Sequence, residues 1–359
     1  MKKNNIYVDI HVIQTVPPSC VNRDDTGTPK QCMFGGVRRA RVSSQAWKRA
    51  VRVAFRDMYA PEDLSNRTKN IVGMVADRIR EKNKDVDAEK LAIQVLEGAG
   101  LSINKADPKR GTEALFFMST AQADALADIA LIDIDKPVDK DVCKAALKEH
   151  PSIDMALFGR MVASDPSLNY DAAAMVAHAI STHKVQTEYD YFTAVDDLSE
   201  DDNAGAGHLG TVEYNASTLY RYASVNVREL ADNLGNDTAS AVRNFIEAFL
   251  LSMPTGKIAT FANRTLPNAV YIAVRKDQPV NMAAAFEKPV LSDAEGGFLE
   301  GSKTALAGYA QSVYGTFVDA PSYAWIIGDG MGTLGLSVSM KELLSLLPVT
   351  LDELILEGK

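Results

Sequence analysis

Gly36-Val37-Arg38-Arg39-Ala40-Arg41-Val42-Ser43-Ser44-Gln45-Ala46-Trp47-Lys48-Arg49-Ala50-Val51 decides how this chain is read. Val37 to Val42 is a short strand. Ser43 or Ser44 then caps a helix that should run to about Tyr59. On that helix Trp47, Ala50, Val51, Ala54 and Met58 share one face and are expected to be buried. Lys48, Arg52 and Arg56, with Arg49 beside them, form an opposite cationic stripe. Like charges in that register disfavour an isolated helix by about 0.2–0.5 kcal/mol per pair, a cost that an adjacent anion removes.

Upstream, Ile6, Val8, Ile10 and Val12 alternate with Tyr7, Asp9 and His11, a first strand of period two. It runs into Pro17-Pro18 and a loop from Asn22-Arg23-Asp24-Asp25-Thr26-Gly27 to Gly35-Gly36. Downstream, residues 61–184 read as a mostly helical insertion. Helical periodicity covers Ile71–Asn83, Ala88–Leu96, Ala121–Leu131, Lys140–His150 and Ala172–His183. Thr187 to Asp202 carries Glu188, Asp190, Asp196, Asp197, Glu200, Asp201 and Asp202 and no base. It leads through Asn203-Ala204-Gly205-Ala206-Gly207, a turn between Tyr189–Val195 and Thr211–Asn215, and so predicts a long, mobile β-hairpin. Strands are expected again at Leu219–Val227 and Ala269–Val274, with a helix at Ala239–Ser252. No period of about 20–50 residues repeats.

The chain has 359 residues, 46 % apolar and 24 % charged, which suits a folded protein of two units or one fold with a large insertion. It contains no apolar run of about 18 residues for a membrane span, and its start lacks the apolar stretch of a secretory signal. Cys20, Cys32 and Cys143 are odd in number and lack CxxC spacing, so neither a disulfide framework nor a structural zinc site is expected. A reducing cytoplasm is the expected compartment. The net charge of −9 conceals an asymmetry: Asn22 to Arg56 carries +7, and the remainder −16. A basic face on an acidic body suits a protein that holds a polyanion on one side.

Several features resemble active sites and are set aside. Gly330-Met331-Gly332-Thr333-Leu334-Gly335 fits GxGxxG, but the remaining chain is too short for the βαβ unit that a dinucleotide needs, and a glycine turn is expected. His178 and His183 are five apart, whereas a helical zinc pair wants i, i+4. No serine stands in a GxSxG elbow. Asp24-Asp25 fits either a magnesium site for phosphodiester cleavage or a polar turn that orients Arg23, and the turn is the expected reading. No metal or cofactor is anticipated. Single-stranded RNA binding has the broadest support, since it needs cations along phosphates and side chains that stack on bases. Arg23 to Arg49 supplies the first; Phe34, Met161 and Tyr189-Asp190-Tyr191-Phe192 are candidates for the second.

The order of these blocks resembles a known family. Ile10-His11-Val12, Pro18 to Asp25, and Phe34 to Gln45 look like the opening of the type I-E CRISPR Cascade backbone subunit, the CasC family. Similarity continues at Ala156-Leu157-Phe158-Gly159-Arg160-Met161, Ala177 to His183, Tyr191 to Asp197, Gly207 to Thr211, Tyr220 to Ala223 and Ala284 to Lys288. The resemblance implies an α+β fold: an RRM-like (ferredoxin-fold) palm, 1–60 plus 217–359, with helical fingers at 61–184 and a β-hairpin thumb at 185–216. It implies a non-catalytic subunit whose copies stack head to tail along the spacer of a CRISPR RNA (crRNA). The guide bases are then presented for pairing with target DNA. The implied partners are the large, small, Cas5-like and Cas6-like Cascade subunits and a recruited nuclease-helicase.

Matched position by position, the resemblance makes Arg23, Lys30, Ser43, Gln45, Lys48 and Arg49 guide-RNA contacts, and Arg38 in the same basic run is a further RNA-binding candidate. It places Met161, Phe192 and Thr193 near the bases. Val37 stands where the family has a basic residue, and Tyr191 where tryptophan occurs. The alternative from another class is a metal-dependent endoribonuclease of a related CRISPR effector using Asp24 and Asp25, supported by fold analogy alone.

Overall fold

The computed structural model describes residues 5–104, 107, 111–132, 134, 136–149, 151–162, 165–194 and 209–357. The expected hairpin turn, with Asp196, Asp197 and His208, lies outside the described residues, as does His150. In chain order the elements begin with β1 (Tyr7–Ser19), β2 (Gln31–Phe34), β3 (Val37–Val42) and α1 (Ser44–Ala54). Next come β4 (Ser65–Thr68), α2 (Ile71–Lys82), α3 (Ala88–Gly98), β5 (Phe116–Ser119), α4 (Thr120–Ile132), α5 (Lys140–Lys148) and α6 (Ile153–Phe158). They are followed by β6 (Ala174–Val176), β7 (Ala179–Ser181), β8 (Glu188–Thr193), β9 (Leu209–Asn226), α7 (Val227–Leu234), α8 (Thr238–Leu251) and α9 (Ile258–Phe261). The last are β10 (Ala269–Arg275), α10 (Leu299–Thr316), β11 (Tyr323–Ile327), β12 (Leu336–Ser337) and α11 (Met340–Glu357).

The architecture is mixed α+β. One large mixed sheet has the order β12-β11-β10-β1-β9-β7-β3-β2, and β6 and β8 also pair with β9. Only the short β11–β12 pairing is parallel among the registers recorded. Two compact units are distinguishable: residues 1–51, 176–224 and 242–359 form the first, and residues 52–175 and 225–241 the second.

In the first unit β1 lies inside the sheet, antiparallel to β10 with Tyr7 opposite Arg275 and Ile13 opposite Ala269. Its period-two pattern ordinarily marks a strand with one wet face. Here both faces are covered, and Asp9 and His11 are as deeply buried as Val8 and Ile10. Groups distant in sequence meet most of this buried polar face, leaving His11 Nε2 without a hydrogen-bond partner among the described residues. Tyr222 donates its hydroxyl to Asp9 Oδ1 at 2.8 Å, and the Val280 amide donates to Oδ2 at 2.9 Å. His11 Nδ1 lies 2.9 Å from the Tyr220 hydroxyl, which also accepts from the Met282 amide at 3.1 Å. Tyr271, Phe286 and Leu306 close an apolar cluster around this layer.

Helix α1 buries Trp47, Ala50 and Val51. Trp47 lies beneath the buried Arg221 guanidinium, 3.7 Å from the ring centre. The helix ends at Ala54 rather than near Tyr59, and tightens into a 3₁₀ turn at Phe55–Asp57 that buries Phe55 instead of Met58. Such tightening at a helix end shares the last amides between nearer carbonyls.

In the second unit α2, α3, α4 and α5 pack around Ile71, Val75, Ile79, Leu91, Leu96 and Leu126. Arg160 is buried among them. It donates to the Leu168, Phe117 and Leu147 carbonyls and to Gln122 Oε1, at 2.7–3.2 Å. The helix expected over Ala172–His183 is instead β6 and β7, two three-residue strands. β7 is caught between β3 and β9, with Arg41 and Tyr220 both opposite Ile180. Long-range pairing outweighs the local periodicity there.

Candidate nucleic-acid interface

Asn22 fastens the first loop to the start of α1. Its side-chain oxygen accepts from the Ser43 amide at 2.9 Å, and its carbonyl accepts from the Lys30 amide at 2.8 Å. Ser43 is buried, and its hydroxyl accepts from the Ala46 amide at 3.3 Å as the helix cap. Ser43 therefore fixes the start of α1 rather than facing solvent, while Gln45 stands exposed on the first turn. The Ser44 amide donates to His178 Nδ1 at 3.1 Å, and Arg41 Nη1 lies 3.4 Å from the same nitrogen. An Nδ1 that accepts requires the neutral Nε2–H tautomer. Partial burial and the charges of Arg41 and Lys30 hold this imidazole below its ordinary range, which preserves the acceptor. His178 is a component that sequence reasoning treated only as a failed zinc ligand.

The run of cations divides into distinct roles. Arg23, Arg38 and Arg49 are exposed, and Lys30 and Lys48 half-buried. Arg39, their equal in the sequence, is wholly buried. Its guanidinium donates to the carbonyls of Phe34, Ser181, Phe286 and Glu287 at 2.8–3.3 Å, bolting the β2–β3 hairpin to two distant segments. Arg52 also leaves the expected stripe. Its Nε is 3.1 Å from Asp154 Oδ2, and its guanidinium lies 4.5 Å above the Phe117 ring. Among the described residues Arg23, Lys30, Arg38 and Arg49 have no carboxylate within ion-pair distance.

Asp24 does not orient Arg23. One of its carboxylate oxygens accepts from the Thr26 amide and hydroxyl and the Thr28 amide at 2.8–3.0 Å, closing its own turn. The Thr26 hydroxyl bond, aided by the backbone amides, holds its carboxyl below the usual range. Among the described residues no three His, Cys, Asp or Glu side chains are grouped to share a metal ion.

β8 and β9 form the expected antiparallel hairpin, with Glu188 opposite Tyr214 and Thr193 opposite Leu209. β8 is exposed along its whole length. Alternation places Glu188, Asp190 and Phe192 on one face and Tyr189, Tyr191 and Thr193 on the other. Phe192 and Thr193 therefore cannot meet a base from the same side. Phe192 stands opposite Gly210, and its ring lies where a Cβ there would fall, 2.3 Å from Cζ. The glycine lets the ring lie across the hairpin with 46 % of its surface exposed. Gly210 is a partner that the sequence signals only through this register. In the second unit Met161 is 85 % exposed between buried Arg160 and buried Val162, so its neighbours anchor the loop and leave it on the surface.

Among the described residues no helix is long and apolar enough to cross a membrane. A family model described as CT1975-like protein matches residues 8–354. A solved chain described as "CRISPR RNA-guided surveillance complex, pre-nicking" is 33 % identical with a TM-score of 0.82, over 98 % of this chain and 100 % of that one. A second, described as "CRISPR RNA-guided surveillance complex", is 29 % identical with a TM-score of 0.70, over 98 % and 99 %. No curated protein sequence matches. By a match that spans nearly its whole length, the chain belongs to the CT1975-like protein family, whose fold here is that of subunits of CRISPR RNA-guided surveillance complexes.

Proposed function

We propose that this chain is the non-catalytic backbone subunit of a type I-E Cascade complex, of the CasC kind, in the cytoplasm. On this reading the large sheet supplies an RRM-like palm, the second unit the fingers, and β8–β9 the thumb. Copies stack head to tail along the crRNA spacer beside the large, small, Cas5-like and Cas6-like subunits. They hold the guide's phosphates and leave its bases free to pair with target DNA, after which a separate nuclease-helicase is recruited. The full-length likeness to a chain described as part of an RNA-guided surveillance complex carries this reading. It is supported by the exposed cations on a rigid loop, β3 and α1, in a chain whose net charge is −9.

Phosphate contacts carry affinity without sequence information. If Arg23, Lys30, Lys48 and Arg49 each neutralise a phosphate, affinity for single-stranded RNA should fall with salt at a log–log slope of about −3. Lys48→Ala/Arg49→Ala should bring the slope to about −1.5 and weaken all RNA sequences alike. An unchanged slope and affinity in the double variant would sink the assignment. Run with Mg²⁺ or Mn²⁺, the same mixtures should leave RNA and guide duplexes uncut; cleavage that Asp24→Asn abolishes would favour the endoribonuclease.

A further inference from the structure

The segment 254–263 between α8 and β10 contains the two non-glycine residues with positive φ among those described, Lys257 at φ 44° and Ala262 at φ 48°. They bracket the single turn α9, and both adopt the left-handed conformation that a Cβ disfavours. The same segment holds Asn263, 1 % exposed, whose side-chain amide finds no acceptor. Two strained residues and an unpaired buried donor in one short loop are not features that a loop keeps for its own stability.

The loop is pressed against the one that carries Arg23. A Cβ on Gly256 would lie 2.1 Å from the Val21 carbonyl oxygen and 2.6 Å from that of Cys20, so only glycine permits this approach. That contact falls two residues before Arg23 and one before Lys257, so backbone packing brings the two cation-bearing loops together. Burial raises the Cys20 thiol above its ordinary range, and the charges of Lys257 and Arg23 both oppose that shift. Neither Asp24 nor Glu213 comes within ion-pair distance of Lys257, which has no carboxylate partner among the described residues. The other end of the loop meets the hairpin, with the Phe261 and Tyr214 rings 5.8 Å apart.

We propose that Lys257 is a further phosphate contact for single-stranded RNA, held in its strained conformation so that its ammonium and the Arg23 guanidinium grip the same stretch of backbone. The loop 254–263 is then a second cationic wall of the groove, joined by Phe261 to the base of the hairpin. This inference rests on the RNA-holding reading above.

The experiment measures binding of the full chain to a fluorescein-labelled single-stranded RNA across a salt series, beside thermal unfolding. Lys257→Ala keeps the strain and removes the charge; Lys257→Gly removes both. Each should weaken binding about fivefold near 0.1 M salt and make the slope shallower by about 0.7. The thermal midpoint of Lys257→Gly should lie above that of Lys257→Ala, because only glycine relieves the strain. A Lys257→Gly protein that gains stability and keeps wild-type affinity and slope would overturn the proposal. So would a loss of affinity with an unchanged slope. Lys48→Ala/Arg49→Ala serves as the control: if it flattens the slope while both Lys257 variants do not, only the Lys257 assignment fails. Wild-type protein that does not bind RNA would overturn both.

Discussion

Asp9 and His11 stand two residues apart on one face of β1, and burial moves their proton affinities in opposite directions. Desolvation raises Asp9 from 3.8 to about 6 and lowers His11 from 6.5 to about 3. The folded state therefore binds Asp9's proton more tightly, which favours folding on acidification from pH 6 to 4 by about 3 kcal/mol. It binds the His11 proton less tightly. That contribution is present above pH 6.5 and is lost as the pH falls towards 3, about 5 kcal/mol in all. The histidine outweighs the carboxylate. His11→Asn should remove its share, so the stability gap between wild type and variant should narrow steadily from pH 7 to 4 in urea titrations. A gap that does not change with pH would mean that His11 is not held neutral by the fold. None of this was legible in the sequence, where Asp9 and His11 occupy the polar phase of an alternating strand. Period two identifies the two faces but not what covers them. The same limit applies to Arg38 and Arg39, identical in kind and adjacent, of which one is exposed and the other buried under four carbonyls.

At the scale of elements, α1 and the hairpin were readable because each is specified locally. A serine cap followed by a 3.6-residue apolar rhythm marks the one, and two strand-like runs about an acidic, glycine-containing stretch mark the other. The Ala172–His183 segment was not readable. Its alanines and histidines fit a helix, and only the arrival of β3 and β9 on either side makes β7 a strand. The position of α1 against His178 was hidden for the same reason, since 134 residues separate the donor and acceptor. Every residue of β8 is exposed, so the hairpin contributes little to the core of the first unit. Replacing Tyr191–Leu209 by a short Gly-Ser linker should alter stability by less than about 1 kcal/mol, the scale of a change in loop length. If copies line a guide RNA as proposed, the intact chain should give a repeating pattern of exposed and protected bases in chemical probing, and this replacement should erase it. A thumbless protein that keeps the pattern would show that spacing of the bases originates elsewhere.

For the whole molecule, the segment 22–56 carries +7 against −16 in the remainder, and even with Arg39 buried and Arg52 paired its exposed cations would favour contact between unlike surfaces if copies stack as proposed. On the proposed reading that head-to-tail contact has a rotation that does not close into a ring, and it would extend as far as the RNA template permits. Native mass spectrometry with single-stranded RNAs of increasing length should therefore show complexes that grow by one chain at a time. A single bound copy at every length would exclude a filament. The pairing of β1 with β10 has a further bearing on how the chain is made. The basic stretch leaves the ribosome, beside ribosomal RNA, well before β10, which pairs with β1 and is synthesised some 250 residues after it. At about 5–20 residues per second, the polycation waits through much of translation in an unfinished sheet. So long an interval between nearest neighbours makes folding slow and leaves a sticky cation next to the cell's most abundant polyanion. An abundance of acids in the rest of the chain, synthesised in that interval, gives the nascent protein its own counterions.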